Sequence, residues 1–535
     1  MIKNMKRLFP LLILNVVFAM SSASAQQKNK PNILFIAIDD LKPILGCYGN
    51  TMIKTPNIDR LAKMGTVFSS NYVQQAVCGP TRASIMTGMR PDYTKVWDLK
   101  TKMREMNPDI VTIPQYFIKQ GYVSSGVGKI YHPTCVEKND EAFSWTIPYL
   151  KPKAYDFANG LGQPKEGHYQ SQAIKDAIAK KLDEKIKPDE DGETGGSKKG
   201  PASECVNVPD NAYEDGVSAL LAREQMIKFS KSANPFFMAV GFRKPHLPFV
   251  APKKYWDLYN RQDMPLAEFQ EHSKNGPLVA YTGSNELRNY TDIPEFATMS
   301  ADSNRIGIKV EKQRELIHGY YAAVSYADAQ VGILLNTLDS LGILNNTIIV
   351  LWGDHGWHLG DHDLWNKHTN FEQATRAPLI FAAPGFKPGN SNSLSEHVDV
   401  FPTLCDLAGI PVPTYLAGKS LVPIMKNNKS IVKDFAVSQY HRTIKQEEVK
   451  KLGLANRKVE GYAIRTNKYR YVLWLNNDFH TNETFTESRI YAVELYDYEK
   501  DPLEKVNVAN EKQYAATAKE LNTKMLDFFK SQKRN

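Results

Sequence analysis

Five short runs of mostly apolar residues constrain the fold of this chain more than any other feature. They span 32–38, 122–127, 235–241, 347–352 and 378–382. Each has the length and texture of a strand buried on both faces. Helical patterns lie between them at 113–119, 215–231 and 320–341. The last places Val324, Val331, Leu334, Leu335 and Leu338 on one face. Strands alternating with helices predict an α/β domain built on a large, mostly parallel central sheet flanked by helices. In such sheets functional groups collect at the carboxyl ends of the strands. Two of the runs end in acids: Ile38 leads into Asp39-Asp40, and Trp352-Gly353 into Asp354-His355.

The chain has 535 residues, enough for one large domain and a smaller one. With 42% hydrophobic and 23% charged residues it is neither disordered nor fibrous. Five cysteines exclude a disulfide-stapled scaffold. One bridge, Cys135 to Cys205, is the most the sequence supports, and Cys405 reads as a buried thiol.

Residues 1–25 have a basic start, an apolar stretch over 8–20, and Ala23-Ser24-Ala25 before Gln26. This is the layout of a cleaved secretory signal peptide, which predicts a secreted or periplasmic protein. No later apolar run is long enough to span a bilayer. The formal charge of +9 falls to +6 without Lys3, Lys6 and Arg7, too mild and too scattered for nucleic-acid binding.

Residues 183–201 are charged and Gly-rich and read as a surface insertion. From about residue 440 the texture changes. Aromatic and β-branched residues over 462–475 predict strands with a turn near Asn467-Lys468; 491–498 reads as another strand and 513–530 as a terminal helix. The division expected is a catalytic domain over 26–435 and a smaller α+β subdomain with an antiparallel sheet over 436–535.

Adjacent carboxylates at a strand end repel each other and are costly to bury unless a cation neutralises them. A lone Asp-Asp pair is more often a cap or a solvated turn. Two acidic strand ends in one sheet shift that balance. Asp39, Asp40 and Asp354, with little compensating positive charge in the adjacent sequence, suit a hard divalent cation, Ca²⁺ or Mg²⁺. Zinc would call for more His and Cys.

Residues 78–88 read Cys-Gly-Pro-Thr-Arg-Ala-Ser-Ile-Met-Thr-Gly. The core Cys78-x-Pro80-x-Arg82, with Ser84, Thr87 and Gly88 also fitting, resembles the signature of the formylglycine-dependent sulfatases. Further strings carry the resemblance along nearly the whole chain after the leader, most of all to the iduronate-2-sulfatase branch. They are Asp39-Asp40-Leu41-Lys42-Pro43, Thr55-Pro56-Asn57-Ile58-Asp59, Val127-Gly128-Lys129-Ile130-Tyr131-His132-Pro133, Arg243-Lys244-Pro245-His246-Leu247-Pro248-Phe249, and Asp354-His355-Gly356-Trp357 through to Lys367.

The resemblance implies an alkaline-phosphatase-like fold and a sulfuric ester hydrolase acting on a sulfated oligosaccharide or polysaccharide, with a 2-O-sulfated uronic acid of a glycosaminoglycan or of an algal polysaccharide such as ulvan as leading substrate. It implies that a formylglycine-generating enzyme oxidises Cys78 to 3-oxoalanine (formylglycine), whose hydrate is the nucleophile. Asp39, Asp40, Asp354 and His355, with residue 78, would hold Ca²⁺. Arg82 would hold the hydrate, and Lys129 and Lys367 would bind sulfate oxygens. His246 would protonate the leaving alcohol, and His132 would be the base that expels sulfate and restores the aldehyde. Trp357 is a candidate sugar-stacking platform. His358, His362 and His368 crowd the same loop and stand outside this set. Lys95, Lys100, Lys102 and Arg104 read as a solvated face. Two other readings stay open: a sulfated-glycan binding protein, if Cys78 is unmodified, and a phosphatase or phosphodiesterase of the same superfamily.

Overall fold

A computed structural model describes residues 30–137, 141–155, 157–165, 167–180, 185–186, 196–197, 200–296, 307–477 and 489–532. The leader, and most of the insertion expected over 183–201, lie outside the described residues.

The centre is a seven-stranded sheet. Its strands in chain order are β1 (Asn32–Ile38), β2 (Thr66–Phe68), β3 (Val123–Gly128), β4 (Phe236–Phe242), β5 (Thr347–Gly353), β6 (Leu379–Ala382) and β7 (Gly389–Ser391). They lie side by side in the order β7-β2-β6-β5-β1-β4-β3. The four strands β5, β1, β4 and β3 are mutually parallel. β6 runs antiparallel to both β5 and β2, so the sheet is mixed beyond its parallel centre.

β1 is buried along its whole length, which is why it reads as an unbroken apolar run. Its side chains alternate between two cores. Leu34, Ile36 and Ile38 pack under helices α4 (Glu214–Phe229) and α5 (Val310–Ser340). Ile33, Phe35 and Ala37 face α2 (Cys78–Thr87), α3 (Ile113–Lys119) and α6 (Val400–Leu407). The short helix α1 (Pro56–Ala62) lies on the α5 side, where Ile58 and Leu61 join the first core. The result is a three-layer α/β/α sandwich.

α3 starts where the sequence predicts, because Thr112 and Gln115 form a reciprocal capping box. α5 begins at Val310 rather than at residue 320. Its first turns are largely charged and polar, which hides them from an apolar-period reading.

A second, antiparallel sheet of four strands follows: β8 (Ala436–Thr443), β9 (Lys458–Arg465), β10 (Tyr469–Leu475) and β11 (Ile490–Asp497). One face buries Val459, Ala463, Val472 and Trp474 with Phe371 and Leu364 of the larger part. The other packs Ile464, Leu473 and Leu495 against Leu521, Met525 and Phe528 of the terminal helix α7 (Ala515–Gln532).

All five cysteines are free, which corrects the expected Cys135–Cys205 bridge. Cys135 is buried, with its thiol pointed at the Asp98 carbonyl, whereas Cys205 is exposed. Cys405 is a buried thiol, as its apolar surroundings predict. No helix among the described residues is long and apolar enough to cross a membrane.

Candidate active site

The carboxyl ends of the four parallel strands converge on one buried cluster. β1 delivers Asp39 and Asp40, β5 Asp354 and His355, β3 Lys129, and β4 the loop that carries His246. Backbone bonds continue the ladder into the site, with Asp39 N–H on Phe242 O at 3.0 Å and Asp354 N–H on Ile38 O at 3.2 Å. Asp40 departs from the strand in a left-handed conformation (φ 57°). The Tyr320 hydroxyl of α5 donates to its carbonyl at 2.7 Å, and its own N–H donates to Asp354 Oδ1 at 2.8 Å. Lys129 turns inward where Gly128 faces Gly241. A Cβ on Gly241 would stand 2.2 Å from the Lys129 carbonyl, so only glycine allows that approach.

Cys78 opens α2, all ten residues of which are buried. Its Sγ lies 3.3 Å from His355 Nε2 and 3.9 Å from Asp40 Oδ1. One turn on, Arg82 spreads its planar fork across the site. Nε donates to Asp354 Oδ2 at 3.0 Å, NH2 to Asp39 Oδ1 at 2.8 Å, and NH1 to the carbonyls of Lys129 and Ile130. Trp352 lies under the guanidinium, its centroid 5.4 Å away.

Lys129 pairs with Asp39 Oδ2, and Lys367 reaches both oxygens of Asp40 at 3.2 and 3.3 Å. Arg82, Lys129 and Lys367 therefore correct the expectation that the acids lack compensating positive charge. Burial would raise Asp39, but Lys129 and then Arg82 hold it well below the usual carboxylate range. Burial outweighs Lys367 and His355 at Asp40 and pushes it up to about 7. Burial, then Asp39, push the Cys78 thiol well above its ordinary value, so the unmodified residue is a neutral thiol and a weak nucleophile.

Whether these residues suit a cation can be tested on His355. Its Nδ1 sits 2.9 Å from the Gly356 carbonyl, which only accepts, so Nδ1 carries the proton. The Nε2 lone pair then faces Asp40 Oδ1 at 3.4 Å and Asp354 Oδ1 at 3.7 Å. Burial lowers the histidine and favours the neutral ring. The Cys78 thiol can donate to that lone pair, but once residue 78 is converted no thiol proton remains, and a lone pair opposed by two carboxylates is repulsive unless a cation lies between them. Ligand atoms of Asp40, Cys78, Asp354 and His355 all lie within 4.8 Å of one another, and the set fits a divalent ion. Asp39 belongs to a second such group with Asp40, Cys78 and His246.

His132 and His246 are held differently. Thr134 Oγ1 donates to Leu99 O, so it accepts from His132 Nδ1 at 2.8 Å and leaves Nε2 with its lone pair. Burial, then Lys129, lower His132 well below the usual histidine range, which favours the unprotonated ring. His246 Nδ1 donates to Leu247 O at 2.6 Å, and Nε2 lies 3.1 Å from Glu286 Oε1. A carboxylate at that distance requires a proton on Nε2. Burial, then Lys367 and Lys129, pull His246 down, and Glu286 opposes them.

Glu286 and Thr134 have no sequence signature of their own. Glu286 reads as part of a polar turn, Asn285-Glu286-Leu287-Arg288. Thr134 carries one usable signal, a hydroxyl two residues after a histidine. Trp357 is not the sugar platform expected. It is 1% exposed, edge-on to Phe249, with the Lys367 ammonium over its face at 4.9 Å. His358 and His362 are structural: His358 bonds Thr369 and the Asp361 carbonyl, and His362 stacks on Phe371. Lys102 pairs with Glu105 and Glu137, and Arg104 with Glu141, so neither waits for a substrate.

Comparison with known proteins agrees with this geometry. The sulfatase family profile matches residues 31–410, and the profile of the N-sulphoglucosamine sulphohydrolase C-terminal region matches 360–531. Iduronate 2-sulfatase of Homo sapiens is 35% identical, covering 90% of this chain and 92% of its own length. Delta 4,5-hexuronate-2-O-sulfatase of Bacteroides thetaiotaomicron is 26% identical, covering 93% and 88%. A solved structure in complex with its substrate D-glucosamine-2-N,6-O-disulfate shares the fold, with a TM-score of 0.66, 22% identity and coverage of 94% and 99%. A match over most of the chain, joined to a buried Cys78–Arg82 helix among strand-end acids, means that the chain belongs to the sulfatase family as an iduronate-2-sulfatase-like sulfuric ester hydrolase.

Proposed function

We propose that the protein is an exported enzyme that removes the 2-O-sulfate from a uronic acid residue of a sulfated polysaccharide, with residue 78 acting as formylglycine beside a bound Ca²⁺. The observation that carries this reading is the placement of Cys78. It is a thiol that its surroundings keep neutral, set among ligand-type side chains and next to the Arg82 fork. The 2-O-uronate reading rests on the iduronate and hexuronate specificities named for the two relatives. The apolar leader with Ala23-Ser24-Ala25 supports export.

When bound, the cation would orient the sulfate and stabilise the attacking oxygen, and formylglycine would supply that oxygen as a geminal diol. Asp39, Asp40, Asp354 and His355 are the residues that would hold the ion. The other steps belong to the chain itself. Lys129 stands on Asp39 and Lys367 on Asp40, where each can take a sulfate oxygen. His246 offers its Nε2 proton to the ester oxygen as the S–O bond breaks. His132, with Nε2 unprotonated, accepts a proton from the nucleophile side. Arg82 meanwhile fixes Asp39 and Asp354 relative to residue 78.

The test has two parts on one sample, co-expressed with a formylglycine-generating enzyme. Peptide mass spectrometry across Cys78 should show the loss of mass that accompanies conversion of the thiol to the aldehyde. The converted, Ca²⁺-loaded protein should release sulfate from a 2-O-sulfated unsaturated uronide disaccharide and not from its 6-O-sulfated isomer. Turnover by protein whose residue 78 is wholly unconverted thiol would refute the mechanism. Release from the 6-O isomer alone would refute the substrate.

A further inference from the structure

We propose that Glu286 is a positioning residue for sulfate ester cleavage, one carboxylate oxygen fixing the proton-bearing Nε2 of His246 and the other fixing the Lys367 ammonium. The inference rests on the reading of His246 as the general acid.

Three segments far apart in sequence meet at this carboxylate. Glu286 is 7% exposed and lies in the short helix Asn285–Arg288, which follows Ser284 in a left-handed conformation. Oε1 stands 3.1 Å from His246 Nε2 and Oε2 2.9 Å from Lys367 Nζ. Neither cluster of described residues close enough to share an ion includes Glu286, and its charged contacts are His246 and Lys367. Burial would raise its pKa, but Lys367 and then His246 hold it well below the usual carboxylate range and keep it ionised.

The geometry links two tasks through one rigid group. With Nδ1 committed to the Leu247 carbonyl, the imidazole of His246 can only rotate by breaking two hydrogen bonds. Its Nε2–H points at Glu286 Oε1, so in the substrate complex that one proton is shared between Glu286 and the ester oxygen. As the S–O bond breaks, its electron pair stays on the ester oxygen, which takes the Nε2 proton and leaves as a neutral alcohol. Glu286 touches neither sulfur nor the leaving oxygen and acts only through His246 and Lys367.

General-acid help matters most when the leaving group is poor, so the test compares two leaving groups of similar shape, phenyl sulfate and 4-nitrophenyl sulfate. Both are assayed on the converted, Ca²⁺-loaded enzyme and on the variants Glu286→Gln, His246→Gln and the double variant. Glu286→Gln should lower kcat for phenyl sulfate about ten-fold more than for 4-nitrophenyl sulfate, with KM for both rising together through Lys367. In the His246→Gln background the same substitution should cost no further kcat on phenyl sulfate. Equal losses on both esters, or fully multiplicative losses in the double variant, would overturn the proposal. If His246→Gln shows no bias between the esters, the general-acid reading falls, and this proposal with it. Should Glu286→Gln fail to fold, Glu286→Asp keeps the charge and shortens the reach, and the same kcat ratio decides.

Discussion

His132 and Thr134 show how much of the chemistry depends on single hydrogen atoms. The Thr134 hydroxyl has one proton, and it goes to the Leu99 carbonyl. Its lone pair therefore dictates which ring nitrogen of His132 is protonated and leaves Nε2 unprotonated, as the proposed base requires. Thr134→Val keeps the shape and removes that instruction. We expect kcat to fall about ten-fold with KM little changed, the scale seen when an orienting partner of a functional histidine is lost. Thr134 is exposed, so the melting temperature should stay within a few degrees of wild type. Unchanged kcat in Thr134→Val would show that the tautomer is set by something else. A reader of the sequence finds the catalytic side chains because they sit in strings with fixed spacing. The partners that choose a tautomer or a rotamer carry no such string: Glu286 sits in an ordinary polar turn, and Thr134 offers only a hydroxyl two residues after a histidine.

Strands and helices place these side chains, and here the backbone leaves little room. β3 and β4 run parallel, with Gly128 opposite Gly241, and the chain turns into Lys129 directly over Gly241. In Gly241→Ala the new Cβ would meet backbone atoms on Lys129, which cannot swing aside as a side chain can. We expect a loss of about 3 kcal/mol in chemical denaturation, at the upper end of overpacking costs. Gly389→Ala at the sheet edge meets nothing closer than 3.9 Å and should change stability by less than about 0.5 kcal/mol. Comparable losses at both sites would refute the close-approach argument. The same scale explains what the sequence concealed. β1, β4 and β5 are apolar runs buried on both faces, and their limits are legible to within a residue or so. β8 is buried from Ala436 to Arg442, yet it contains Ser438, Gln439, His441 and Arg442. Those polar groups are spent on the loops of the site. Ser438 donates to Val73 O, the Gln439 side-chain amide to Asp92 Oδ1, and Arg442 to the carbonyls of Tyr281 and His368. A strand whose polar residues bond neighbouring loops has no apolar rhythm to read. The antiparallel direction of β6 was equally hidden, because an apolar run does not record which way it points.

At the scale of the whole molecule, the site is a buried concentration of charge that the fold holds together against its own repulsion. Asp39, Asp40, Asp354 and Glu286 face Arg82, Lys129 and Lys367, and every one of these side chains is largely removed from water. The second sheet helps to close this centre, since β8 is bonded to the segment just before Cys78 and to the loop that carries Lys367. Asp40 is the weak point, pushed up to about 7 by its burial. A divalent cation beside it would restore its charge and relieve the lone pair of His355, so cation binding should be readable as stability without any turnover. A ligand that binds only the folded chain adds about 2.7 kcal/mol when present at a hundred times its dissociation constant. We therefore expect the thermal midpoint to rise with Ca²⁺ concentration and to fall back when EGTA is added. Asp40→Asn should blunt the rise, because it removes one of the carboxylates that would hold the ion. Mg²⁺ at the same concentration should stabilise less, since it demands a stricter octahedron than this mixed set of carboxylate and imidazole ligands offers. A midpoint indifferent to Ca²⁺ and EGTA would mean that Arg82, Lys129 and Lys367 already satisfy the acids, and that the cluster is a network of ion pairs and not a metal centre.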